Sequence, residues 1–140
     1  GPYALVYGQP INVFLAGFLG QPSTNFFPGQ VRDGTFQGKG FTLALGELGA
    51  RAPAGKKVHL GIRPEHFQIS TPAQAAFSAK VEVVQHLVSD RVLILNAQIG
   101  EESCVLKVND SHRVVQGDLL PVTIDRRDLF LFDAETGMRV

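Results

Sequence analysis

The chain has 140 residues, of which 44% are hydrophobic and 19% charged, with thirteen basic side chains against thirteen acidic ones. That is about one domain's length with enough apolar residues for a core, and too few charges for a disordered tail. The cancelled charge argues against nucleic-acid binding, which relies on a basic surplus to displace phosphate counterions.

Cys104 is the single cysteine, so no internal disulfide forms, which fits a reducing compartment. No charged-then-apolar leader opens the chain, and no apolar run approaches the ~20 residues of a membrane helix. A soluble, cytoplasmic protein is expected.

In chain order, the first twenty residues read as helical. Pro10 suits a first helical position, and Ile11, Phe14, Leu15 and Phe18 follow at i, i+3, i+4, i+7, making one apolar stripe that Gly17 and Gly20 end. So short a helix must dock on something. From Gly29 the pattern turns to strands, with Val31–Gln37 and Phe41–Leu45 expected around a Gly38-Lys39-Gly40 turn. Asp33-Gly34 is a competing hairpin dipeptide, set aside because its first arm is too short.

Residues 46–57, rich in Gly, Ala and Pro, read as a loop. Val58–Arg63 and Phe67–Ile69 are strands broken at Pro64. Lys80–Val88 and Arg91–Ile99 meet at a Ser89-Asp90 corner, and the unalternating Val92-Leu93-Ile94-Leu95 implies a strand covered on both faces. Cys104, Leu106 and Val108 share a face in the next strand, as do Leu120, Val122 and Ile124 after the Gln116-Gly117-Asp118 turn. Pro121 demotes that strand to an edge. Leu129–Phe132 comes last, before a polar tail containing Glu135-Thr136-Gly137. About eight or nine short strands with regular turn signals describe a small barrel or sandwich.

Few motifs carry chemistry. Pro64 biases Arg63 toward an extended shape, so Arg63 and Glu65 flank a rigid corner. There a guanidinium and a carboxylate suit a clamp across two segments or an interface; an intradomain ion pair is the commoner use of such residues. The four histidines lack metal spacing, with one Cys available, so no metal site is expected. Asp110-Ser111-His112 has triad residue types on opposite strand faces, without a nucleophile elbow. Gly38-Lys39 and Gly55-Lys56 lack the first glycine and the Ser/Thr of a phosphate-binding loop. Phe26 and Phe27, beside Pro22 and Pro28, suit pinning a linker into the core more than an exposed knuckle. Arg126-Arg127 reads as a solvated charge pair.

Four segments in this order carry a resemblance: Tyr7 and Pro10 with Phe14–Gly20; Pro22–Gly29; Gly61-Ile62-Arg63-Pro64-Glu65-His66; and Val81–Leu87 with Leu129–Asp133 and Thr136-Gly137. Together they resemble the C-terminal regulatory domain of ATPase subunits from MalK/UgpC-type ABC importers. The resemblance implies an all-β, OB-fold-like β-barrel over residues 29–140, entered by a helical connector over residues 1–28 from an ATPase domain that precedes it.

It also implies a non-catalytic regulatory and dimerisation module. Its partners would be a second copy of the subunit, its own nucleotide-binding domain, the membrane subunits indirectly and, in some family members, a regulatory protein. No cofactor is expected here, since ATP and magnesium belong to the nucleotide-binding domain. Arg63, Glu65 and His66 are the candidates for a contact at the barrel corner, and Phe14, Phe18 and Phe26 for docking to the ATPase domain. The competing expectation is a barrel that senses a small oxyanion or sugar. One departure from the family pattern is Val88, where glycine is usual; Val tolerates positive φ badly.

Overall fold

A computed structural model describes residues 24–52 and 54–140. The expected helix over residues 10–20, with Phe14 and Phe18, lies outside the described residues.

The described chain is all-β, with ten strands: β1 (Asn25–Arg32), β2 (Thr35–Gln37), β3 (Thr42–Ala44), β4 (Lys57–Ile62), β5 (Gln68–Ile69), β6 (Phe77–Leu87), β7 (Val92–Ile99), β8 (Glu102–Asn109), β9 (Leu119–Thr123) and β10 (Phe130–Asp133). They form two five-stranded sheets, in the orders β10-β4-β1-β2-β3 and β5-β9-β6-β7-β8. The sheets curl around one core in which Phe27, Phe36, Leu60, Leu95, Leu106 and Val122 are fully buried. This is the half-closed, OB-like barrel that the family resemblance implied, where alternation and turn signals alone left a small barrel or a sandwich open. Among the described residues no helix is long and apolar enough to cross a membrane.

The two sheets are joined by a polar tie. Asn25 is the one buried polar residue among those described. Its amide donates to the carbonyls of Ile62 (3.1 Å) and Val105 (2.8 Å) and accepts from the Val105 N–H at 2.8 Å. One side chain thus satisfies two backbone groups of β8 across the seam from β1 and one of β4 within its own sheet, each otherwise costly to bury.

The first hairpin differs from expectation. The first strand starts at Asn25, four residues before the barrel's expected start, and Val31–Gln37 is two strands meeting at Asp33-Gly34, with Arg32 opposite Thr35. Asp33 and Gly34 have φ of 52° and 72°, the paired positive values of a two-residue turn whose twist suits a hairpin. The arm that seemed too short runs back through Pro28 and Gly29. Gly29 is needed there: a Cβ on it would lie 2.6 Å from the Phe36 ring and closer still to the Gln37 carbonyl. The Gly38–Gly40 turn also forms, joining β2 to β3 with Gln37 opposite Thr42.

Four smaller expectations are corrected. The loop over residues 46–57 contains a short helix, α1 (Glu47–Arg51), anchored by buried Leu48. Strand β9 is not an edge; it lies between β5 and β6. Pro121 fits because β5 is only two residues long and the Pro121 carbonyl accepts from the Ser70 N–H at 2.9 Å, so no donor is required. Strand β7 buries Leu93, Leu95, Ala97 and Ile99 and leaves Val92 and Ile94 half-buried, so it is fully covered on one face only. At the β6–β7 corner the left-handed residue is Arg91, φ 55°, which leaves Val88 in a one-turn 3-10 segment at no such strain.

Candidate functional site

Strand β4 positions the Gly61–His66 motif. Val58, Leu60 and Ile62 point into the core, so by alternation His59, Gly61 and Arg63 face outward. Cross-strand register adds two rows to that outward face: Phe26, Gly61 and Phe130, then Pro28, His59 and Phe132. Phe132 is 1% exposed although it lies on the side away from the core. Its ring stands edge-on to Phe26 (centroids 6.0 Å apart) and stacks with Phe130 (6.5 Å). Gly61 leaves room for this layer, since a Cβ there would sit 3.3 Å from Phe26 and 3.4 Å from Phe130.

Two arginines complete the layer. The guanidinium carbons of Arg63 and Arg139 lie 5.1 and 4.9 Å from the Phe130 ring centroid, within the range of cation–π attraction. Arg139 arrives because the tail turns back. The Asp133 carboxylate accepts the N–H groups of Glu135 (2.8 Å) and Thr136 (3.1 Å), Gly137 takes φ 73°, and Phe132 and Arg139 form a bridge. Those N–H groups, Thr136 first, hold the Asp133 carboxyl below its ordinary range.

Beyond Arg63 the chain makes a single 3-10 turn over Pro64–His66, with Pro64 buried and the His66 N–H donating to the Arg63 carbonyl at 3.0 Å. Arg63 itself is extended, as the following proline favours. The intradomain ion pair weighed for this corner does not form: among the described residues Arg63 has an aromatic partner and no carboxylate, and Glu65 is exposed without an ion pair. Buried atoms without hydrogen-bond partners gather around the same segment: Thr24 Oγ1, His59 Nδ1, Arg63 Nε and His66 Nδ1.

The adjacent phenylalanines divide by strand alternation. Phe27 is in the core, edge-on to Phe41 at 5.4 Å, while Phe26 is half-buried in the outer layer. The structure therefore brings Arg63 and Phe26 onto one face, with His66 on the turn beside it. Sequence reasoning missed Phe130, Phe132 and Arg139, whose contacts lie far along the chain. Cys104 is buried, its thiol 3.6 Å from the Ala97 carbonyl, and burial pushes its pKa up to about 12. It stays a protonated packing residue.

Two families match the chain in succession. Residues 20–67 match the MalK OB fold domain and residues 60–132 the TOBE domain. They overlap on the segment holding Gly61–His66. The chain is 34% identical over 137 residues to the sn-glycerol-3-phosphate import ATP-binding protein UgpC of Escherichia coli strain 536, and 34% identical over 140 residues to that of strain K12. Against the UgpC of Shigella sonnei strain Ss046 it is 33% identical over 140 residues. In each case the match covers 96% of this chain and 38% of the relative.

Proposed function

The chain belongs to the TOBE domain family, and on that premise we propose that it is the regulatory and dimerisation module of the ATP-binding subunit of a solute importer. The observation that carries the reading is the successive match of two such domains on a chain similar throughout to import ATP-binding proteins and spanning 38% of their length. The relatives' name makes sn-glycerol-3-phosphate or a related solute the proposed cargo of the whole system.

The module performs no chemistry of its own in this reading. ATP and magnesium are bound by the nucleotide-binding domain of the same subunit, and the subunit sits at the inner face of the membrane through its membrane partners. By staying paired while the nucleotide domains separate, two copies keep those domains at high effective concentration, so that re-closure is an intramolecular step. A regulatory protein bound to the module shifts the open–closed balance only by its differential affinity for the two states. Arg63, Glu65 and His66 provide the corner contact, and Phe14, Phe18 and Phe26 dock the module to its ATPase domain.

Sedimentation of the complete subunit with and without residues 24–140 tests this. The intact subunit should remain dimeric after its ATP is spent, and the truncated one should fall to monomers. Persistence of the truncated dimer without nucleotide would overturn the reading.

A further inference from the structure

The outer face of sheet one carries unlike charges at its two ends. Lys57 points outward at the start of β4, and Arg63 follows the end of that strand, about 20 Å further along. Glu65 lies just beyond, exposed on the 3-10 turn and without an ion pair among the described residues. The cations of that end, Arg63 and Arg139, are both held over the Phe130 ring, and neither is paired with Glu65.

At the Lys57 end, Lys39 from the turn before β3 joins Lys57 at a cavity of about 470 Å³ lined also by Pro28, Gln30, Gln37 and His59. No carboxylate side chain lines it, and neither lysine has an ion pair among the described residues. Two acidic residues lie nearby without neutralising it. Glu101 donates its backbone N–H to the Lys39 carbonyl at 2.9 Å but is no part of the lining. The Asp133 carboxylate already accepts the N–H groups of Glu135 and Thr136. One end of the face thus offers a carboxylate without a cation, and the other two ammonium groups without a carboxylate.

From this arrangement we infer that Glu65 of one subunit docks between Lys39 and Lys57 of a second copy, the two outer faces meeting antiparallel across a two-fold axis. The inference rests on the pairing reading above and names the surface that does the pairing. A two-fold interface has to be self-complementary, so a contact of residue i with residue j implies that of j with i. Residues 57 and 65 are equally far from Gly61 along the chain. An axis through the Gly61 row and perpendicular to β4 therefore brings both Glu65–Lys57 contacts into place together, with the half-buried Phe130 at the centre. An apolar centre between polar rims is the usual anatomy of such an interface. A like-signed end meeting its own copy is avoided, which selects this antiparallel register over the parallel one.

Sedimentation equilibrium of complete, nucleotide-free subunits tests this with two charge reversals, Glu65→Lys in one variant and Lys39→Glu with Lys57→Glu in the other. Each variant alone sets like charges against each other and should pair about tenfold or more weakly than the parent. Its melting temperature should not change, because all three side chains are exposed. Mixed one to one, the two variants make a heterodimer in which both contacts are again between unlike charges, and it should pair about as tightly as the parent. Such rescue by mixing is beyond a merely structural role for these residues. The inference is overturned if either variant alone pairs like the parent, or if the mixture pairs no better than the variants separately. A parent subunit that is monomeric without nucleotide overturns the pairing reading itself, and this contact with it.

Discussion

The two sheets differ on the faces they turn away from their shared core. Sheet two shows water an ordinary outer surface: Ser78, Lys80 and Glu82 on β6, Asn96 on β7, and Ser103 and Lys107 on β8. Sheet one instead carries a second apolar layer, Phe26, Phe130 and Phe132, covered by Arg63 and Arg139. One face is a boundary. The other is a small satellite core, and the Gly61–His66 segment with the returning tail is what builds it. A motif that organises so much packing has a structural duty wherever it also serves a partner, so stability and pairing have to be measured separately.

The largest effect should come from Phe132→Ala. Emptying a fully buried ring position costs about 3–5 kcal/mol, and chemical denaturation should find a loss of that order. A loss under about 1 kcal/mol would mean that the outer layer is no core at all. Gly61→Val should come next, at about 1–3 kcal/mol, since Phe26 and the Phe130 Cβ must both give way. Arg63→Ala should cost about 0.5–2 kcal/mol through loss of the ring contact, with little salt dependence because no carboxylate is involved. On sheet two, Val83→Thr at a half-exposed position should stay within about 0.5 kcal/mol. A comparable loss there would erase the contrast between the faces.

The smallest effect concerns acid. The hydrogen bond from the Arg127 side chain, then that from its backbone N–H, lowers the Asp125 pKa from 3.8 to about 2. A carboxyl more acidic in the folded state contributes stability above pH 3.8 that is lost as the pH falls through 2. The group is exposed, so Asp125→Asn should lose only a small contribution at neutral pH and flatten the acid limb by the same small amount, the two proteins converging below about pH 2. A large change at neutral pH would contradict this.

Legibility in the sequence followed the same division. The strands of sheet two were readable because Leu120, Val122 and Ile124, or Cys104, Leu106 and Val108, alternate along uninterrupted runs. Sheet one resisted. Its first strand passes through Pro28-Gly29, which reads as a linker end until Phe36 is seen packing where a Cβ would stand. The corner at Pro64 was legible from proline's fixed φ, and the chain does turn there. The partner of Arg63 was not, because Phe130 lies far along the chain and only the pairing of β4 with β10 brings it near. Arg126-Arg127 read as a solvated pair, since no local pattern shows α1 and the tail converging on it.

Glu65 offers the most direct test of the proposed grip, because it is exposed and bears no contact in the satellite layer. The measurement is the dimer dissociation constant of the complete, nucleotide-free Glu65→Ala subunit, taken beside its melting temperature. The account predicts pairing weakened about tenfold, the loss of roughly 1.4 kcal/mol, with an unchanged melting temperature. Pairing as tight as that of the parent subunit would contradict it.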